Sequence, residues 1–485
     1  MPEFHAEPYL HLAELTHNTA LITWGAFYFK TRSNGSWKIV EDHDLRYVHP
    51  PRRESIGARS APYGPAQVNV FADDGSLVAT AATDTTNFCW IRGLQPNTRY
   101  RYEVIVNGEH WGQDERWDWA PQSLLEGGSR ERAEHGGSRG SGQRRTEGLV
   151  QRGGRYVNEF RTHPDPTREL DSPLAFIVFG DYGTGIRRST ATRRQREVAL
   201  AIERVFQQRD VRFIITAGDN IYAGTRVLGL PIGTNTGDED DDWFFTFFQP
   251  YRYLINRVPV YPCIGNHDAG ETEDHDDREQ LMDNMYLRER FAAEEPSGGA
   301  SLDPGLFYRF RYSRDVEFIC LDTSKEQFFR GRRLFEYPKH REWIERALAS
   351  NDERWRIAFC HHPPFCAGPQ HSNTDRMQAL LPLFSRGGVR VVFSGHEHNF
   401  QHASHDGIDY FITGAGSKVR KGAPDKFDSA HTRIWSDHAH FLLVTIDGST
   451  MVVEPIGELI DDKVREVPRF SPEGTPLDER IVISR

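Results

Sequence analysis

Five times between Leu174 and His398 an apolar run of strand length stops at a polar cluster, and this repeat constrains the fold more than any other feature of the chain. Leu174 to Phe179 ends in Gly180-Asp181-Tyr182-Gly183, Phe213 to Thr216 in Gly218-Asp219-Asn220-Ile221-Tyr222, and Val258 to Ile264 in Gly265-Asn266-His267-Asp268. Ile357 to Cys360 ends in His361-His362-Pro363-Pro364, and Val389 to Phe393 in Gly395-His396-Glu397-His398. Glycine opens four of the clusters, where it lets the backbone turn sharply and approach an ion closely. Taken singly these are bland, since Gly-Asp is a common turn and Asn-His a common loop. Taken in order, they aim carboxylate, amide and imidazole groups at one edge of a sheet.

Helical spacing separates the strands. Arg193 to Gln208 carries Val198, Ile202, Val205 and Phe206 on one face, and helices are predicted near Pro338 to Ala349 and Thr374 to Phe384. Phe307 to Arg311, Val316 to Leu321, Tyr410 to Thr413, Phe441 to Ile446 and Met451 to Val453 are further strand candidates. Alternating β and α argues a layered α/β fold, in which ligands sit beyond the carboxyl ends of strands.

The chain before Leu174 has another texture. Ala20, Ile22 and Trp24 alternate with Leu21, Thr23 and Gly25, and Tyr100, Tyr102, Val104 and Val106 alternate with their neighbours before the turn at Asn107-Gly108. Val68 and Val70 repeat the pattern, which predicts an all-β antiparallel sandwich over residues 1–165 closed by a strand at Arg155 to Thr162. Leu94 to Tyr100 resembles the tyrosine corner of fibronectin type III-like domains, whose Tyr hydroxyl bonds back across a corner between strands. No chemistry-bearing group stands out here, so a scaffold role is favoured over a binding role. Trp119 to Gly154 is poor in apolar residues and rich in Gly, Ser and Arg, which predicts a mobile insertion.

Composition narrows the function. The 485 residues call for two or three domains, and a net charge of −11 argues against nucleic acid as an obligatory partner. No run of 18 apolar residues exists, so no membrane span is expected. Met1 to Leu10 lacks the basic and apolar regions of a secretion signal, which makes a cytoplasmic address the expectation. Cys89, Cys263, Cys320, Cys360 and Cys366 lack metal-site spacing and read as buried hydrophobes without a disulfide framework.

The five blocks resemble those of the calcineurin-like metallophosphoesterase superfamily, and within it the purple acid phosphatases: GDxG, GDxxY, GNH followed by an acid, a His before x-Pro, and GHxH. The Tyr of GDxxY is the residue that sets the purple branch apart. The resemblance implies a four-layer αββα metallophosphoesterase sandwich over residues 172–455, after a fibronectin-like domain, with 456–485 as a tail. It implies one metal on Asp181, Asp219, Tyr222 and His398, with Asp219 bridging to a second on Asn266, His361 and His396. A phenolate with carboxylates suits Fe(III), and an amide with two imidazoles suits divalent Fe, Zn or Mn. His267 would contact the substrate phosphate or help protonate the leaving oxygen, and His371 would be a second proton donor.

Asp268 is expected to orient His267, His362 to support the loop, and Glu397 to point away from both ions. The acidic runs Asp238 to Asp242 and Glu271 to Asp277 are expected as solvated loops, or else as an extra cation site or a field that disfavours highly charged substrates. The polar stretch after Val453 is expected to lie along the surface or remain mobile. The implied activity is hydrolysis of small phosphate monoesters by a metal-bound hydroxide. The alternatives are a phosphodiesterase or nucleotide-pyrophosphate hydrolase on the same metals, and a fibronectin-bearing binding protein without catalysis. The sequence leaves oligomeric state open.

Overall fold

A computed structural model describes residues 4–31, 33, 37–39, 64–111, 157–185, 190–222, 225–227, 230–232, 243–271, 278–291, 305–325, 332–349 and 355–485. The predicted insertion at 119–154, the acidic run at 238–242 and the run after Glu271 lie outside these residues. By their contacts the described residues fall into two units. One holds residues up to 163 with 185–196 and 239–259, and the other holds 164–184, 197–238 and 260–485.

Alternation builds the first unit. The strands Phe4–Leu15 and Thr19–Thr31 pair antiparallel, with Leu10 opposite Trp24 and Leu12 opposite Ile22, and Phe88–Arg92 adds to the second of them. A second sheet holds Leu77–Thr83, Ala66–Phe71, Arg99–Val106 and Glu109–His110, and Glu159–Arg161 pairs with Arg99–Val106 where a closing strand is predicted. Leu10, Leu12, Ile22 and Trp24 share one buried cluster with Val68, Val70, Tyr102 and Val104. The corner is present: the Gln95 N–H donates to the Tyr100 hydroxyl at 2.9 Å. An unpredicted aromatic run, Phe244–Phe248, packs here, with Phe248 4.3 Å from Tyr9 and Phe244 5.0 Å from Phe29, ring centre to ring centre.

Two seven-stranded mixed sheets make the second unit. In the first, Leu174–Phe179, Val211–Thr216 and Val260–Pro262 lie parallel and adjacent. In the second, Trp355–Cys360 and Val389–Ser394 lie parallel between Val316–Cys320 and Ile408–Thr413. Phenylalanine joins the sheets: Phe213 stacks on Phe176, and both meet Phe318 edge to face at 5.2 Å. Trp343 and Ile344 of the helix Pro338–Ala347 share a core with Ile319, Ala358 and Val392 of the second sheet. The helix predicted over Thr374 to Phe384 is two short ones, Asp375–Gln378 and Leu381–Arg386.

The stretch past Val453 corrects an expectation. The strand Thr450–Ile460 runs well beyond it, and Lys463–Glu466 and Ile481–Ser484 both pair antiparallel with that strand. Ile481 and Ile483 are buried while Val482 is exposed, so alternation anchors the segment as a sheet edge. All five cysteines are buried and unbridged.

Tyr100→Phe leaves the Gln95 N–H without its acceptor at the corner and is expected to cost about 1–2 kcal/mol. Chemical denaturation followed by tryptophan fluorescence reads the loss as a lower midpoint for the transition of the sandwich, and an unchanged midpoint would show that the hydroxyl carries no weight.

Candidate metal centre

Parallel pairing puts the carboxyl ends of neighbouring strands on one edge, and each cluster turns inward there. Asp181, Asp219 and His396 take left-handed backbone angles, with φ of 55°, 51° and 72°. Such conformations cost side-chain-bearing residues of order 1–3 kcal/mol, and here they aim three donor groups at one point. The glycines allow the approach. A Cβ at Gly265 would sit 2.2 Å from Asp219 Oδ1, and one at Gly395 would sit 2.4 Å from Asp181 Oδ2.

The seven residues of the implied ligand set converge. The Tyr222 hydroxyl donates to Asp181 Oδ1 at 3.3 Å, and His398 Nε2 lies 3.3 Å from the same oxygen. Asn266 Oδ1 lies 2.9 Å from both His361 Nε2 and His396 Nδ1, and His361 Nε2 is 3.4 Å from Asp219 Oδ1. The ligand atoms of Asp181, Asp219 and His361 all fall within 4.8 Å of one another, as do those of His361, His362 and His396.

The chemistry of the donors fits a cation. His361 Nδ1 donates to the Ala217 carbonyl at 2.8 Å, so a neutral ring presents a bare lone pair at Nε2. That lone pair faces an amide oxygen and a carboxylate, neither of which can donate. Burial alone would lower the His361 pKa, yet Asp219 and Asp181 overcome it and raise the value. Burial, Lys418 and Arg420 push His398 down to about 3, and burial with the neighbouring imidazoles pushes His396 well below the usual range. Both rings are therefore neutral, the form that ligates. Burial pushes the Asp181 carboxyl up to about 8. Burial, Asp181 and Asp219 likewise hold the Tyr222 phenol well above its ordinary value, and the Lys418 ammonium lies 3.8 Å over its ring.

The residues around the ligands divide into those the sequence anticipated and those it did not. His267 donates its backbone N–H to Asp219 Oδ1 at 3.1 Å, and its ring lies 4.5 Å from that of Tyr222. His371 stacks on His396 at 3.9 Å. Both line a cavity of about 360 Å³ that opens over the ligands. His362 keeps a supporting place, with Nδ1 3.1 Å from the Thr323 hydroxyl.

Asp268 does a different job from the one expected. Its carboxylate accepts the N–H groups of Gly265, Asn220 and Ile221 and the Asn220 amide, which braces the loop carrying Asp219. Glu397, expected only to point away from both ions, has partners of its own. It is fully buried, accepts the N–H groups of Gln370 and His371, and pairs with Arg420. Lys325, Arg333, Lys418 and Arg420, none of them anticipated, line the cavity. Glu271, the one described residue of its acidic run, is buried and tied to Lys325. Lys418 and Arg420 had a signal: Tyr410 to Thr413 is another apolar run ended by a glycine-rich cluster, Gly414-Ala415-Gly416-Ser417-Lys418.

Residues 174–400 match the model of the calcineurin-like phosphoesterase family. This match and the relatives below support a metallophosphoesterase, a hydrolase of phosphoric esters. Within that superfamily its likeness is to purple acid phosphatases. It is 26% identical over 298 residues to purple acid phosphatase 4 of Arabidopsis thaliana, covering 58% of this chain and 80% of that one. It is 26% identical over 265 residues to tartrate-resistant acid phosphatase type 5 of Oryctolagus cuniculus, covering 50% and 73%. In fold it resembles purple acid phosphatase PPD1 from yellow lupin seeds (TM-score 0.56, 15% identity, 97% and 74% covered) and PhoD (0.60, 11%, 99% and 94%).

Cation binding near neutral pH is expected to release protons. In the metal-free protein Asp181 holds its proton up to about pH 8 and Tyr222 holds its own higher still, and both must ionise to ligate. Metal affinity therefore falls as pH is lowered through that range. Calorimetric zinc titrations in two buffers of different ionisation enthalpy count the protons, and a count of zero would refute the ligand set.

Proposed function

We propose that the chain hydrolyses phosphate monoesters at a two-metal centre of the purple acid phosphatase type. One observation carries the reading: a hard donor set (Asp181, Tyr222, His398) and a softer one (Asn266, His361, His396) meet around Asp219 at the base of a cavity with cationic walls. Phenolate and carboxylate suit Fe(III), and amide with imidazole suits Fe(II), Zn or Mn. When bound, the two cations supply Lewis acidity to the phosphoryl oxygens and to the attacking water.

The chain's own groups do the rest. Asp219, held by the His267 N–H and the braced Asn220 loop, is the carboxylate within reach of both donor sets. His267 and His371 stand on the cavity wall, where an imidazole can protonate a departing oxygen, help that is typically worth 10²–10⁴-fold. Lys325, Arg333, Lys418 and Arg420 favour an anion in the cavity. A small phosphorylated molecule suits its volume.

Protein reconstituted with Fe and Zn or Mn is expected to release phosphate from p-nitrophenyl phosphate faster than it cleaves bis(p-nitrophenyl) phosphate. The reverse order would make it a diesterase, and cleavage of neither would leave a binding protein. Tyr222→Phe is expected to abolish the visible charge-transfer band with the fold intact, and a fully loaded, oxidised wild type without visible absorbance would sink the Fe(III)–tyrosinate assignment. His396→Ala is expected to lose the second metal and most activity. Elemental analysis finding the metal content unchanged would overturn that placement.

A further inference from the structure

Glu397 stands between the two histidines of the metal turn, and its side chain has no exposed surface. A buried carboxylate persists only where charge and hydrogen bonds offset its lost hydration. Here the offsetting groups come from two separate segments. Oε2 accepts the backbone N–H groups of Gln370 (3.2 Å) and His371 (2.7 Å), and Oε1 takes Nη1 of Arg420. Neighbouring residues reinforce the first tie, since Asn399 and Gln401 donate side-chain N–H groups to the Gly368 carbonyl. The Arg420 N–H donates to the His398 carbonyl at 2.8 Å, which reinforces the second. Arg420, Gln370 and His371 all line the cavity over the metal ligands.

Each of the other cavity cations is engaged. Lys325 pairs with Glu271, Arg333 donates to the Thr323 carbonyl, and Lys418 lies over the Tyr222 ring. Arg420 is also paired, through Nη1 to Glu397, but its Nη2 lies 3.4 Å from His398 Nδ1 and its side chain keeps part of its surface exposed. With a cation on His398 Nε2, the nitrogen that faces Asp181, the neutral ring carries its hydrogen on Nδ1 and cannot accept from Arg420. Nη2 is then left to face the cavity.

We propose that Glu397 is a positioning residue that fixes Arg420 and the Gln370-His371 loop against the metal site, and that Arg420 takes a phosphoryl oxygen of the substrate. The proposal rests on the phosphoesterase reading above. A guanidinium locked at one end by a carboxylate meets an oxyanion with little ordering cost at the other.

The test uses the metal-loaded full chain as wild type, Arg420→Met, Arg420→Lys, Glu397→Gln and the double variant Glu397→Gln/Arg420→Met. Inorganic phosphate binding is followed by calorimetry, metal content by elemental analysis, and KM and kcat on p-nitrophenyl phosphate. Arg420→Met is expected to weaken phosphate binding and raise KM by about ten- to a hundredfold, the loss of one charge-assisted hydrogen bond, with kcat less affected. Glu397→Gln is expected to match that loss and to lower kcat as well, because an amide has one accepting end and cannot serve both Arg420 and the Gln370 and His371 N–H groups. The double variant is expected to bind phosphate no worse than the single ones, and Arg420→Lys to recover part of the loss. All variants are expected to keep the wild-type metal content.

Phosphate binding by Arg420→Met within twofold of wild type would overturn the proposal. So would a double variant whose losses add, metal loss in Glu397→Gln, or a wild type that binds no phosphate. A wild type that binds phosphate through Arg420 yet hydrolyses no ester would overturn the phosphoesterase reading and leave the binding role standing.

Discussion

The structure depends on a crowd of lone pairs that cannot satisfy one another. His361 has one nitrogen committed to the Ala217 carbonyl, and its other nitrogen faces Asn266 and Asp219, all three side chains being buried. Asp181 and Asp219 add carboxylates to the same buried volume. Without a positive centre the protein meets the conflict with protons, which is why burial lifts Asp181 and the carboxylates lift His361. Positive charge is what the site is built to receive.

Holding such a crowd together requires a stiff backbone. The left-handed conformations at Asp181, Asp219 and His396 are braced from behind. Asn220 is the centre of that bracing. Its amide oxygen accepts from Thr216 and Tyr182, and its nitrogen donates to the Cys263 carbonyl and to Asp268. Every polar atom of this buried side chain is used, so strain at the neighbouring Asp219 has no easy route of release. Beneath it, Phe176, Phe213 and Phe318 lock one sheet on the other and fix the spacing between the donors of each.

What the sequence made legible were the positions where a strand ends in a chemically specific residue. Apolar runs marked the strands and glycines marked the turns, and the residues that the family resemblance implied as ligands, Asp181, Asp219, Tyr222, Asn266, His361, His396 and His398, come together at one sheet edge. Contacts made between side chains from distant segments were not legible. Glu397 carries no local sign that Arg420 and the 370–371 backbone will close around it, and its place between two implied ligands suggested only that it points away from both ions. Asp268 follows His267 in sequence, which suggested a partner one residue away, yet it turns to the backbone of the Asn220 loop. The same holds for the last strands: the charged composition of 463–466 concealed a strand in which only Val464 is half-buried. Phe244–Phe248 was missed for another reason, since a short apolar run with neither strand nor helix periodicity gives no indication of which unit it joins.

Sheet order also has a consequence for biosynthesis. The Leu174–Phe179 strand, which delivers Asp181, lies between Val211–Thr216 and Phe441–Asp447. Its second neighbour is made after all seven proposed ligands, and that neighbour is itself flanked by Thr450–Ile460, which also pairs with Ile481–Ser484. A nascent chain therefore carries all seven proposed ligands while one flank of the strand bearing Asp181 is still open. A product that stopped short of Phe441 would hold the donor groups without the strand that flanks the one bearing Asp181, and so without part of the framework that aligns them.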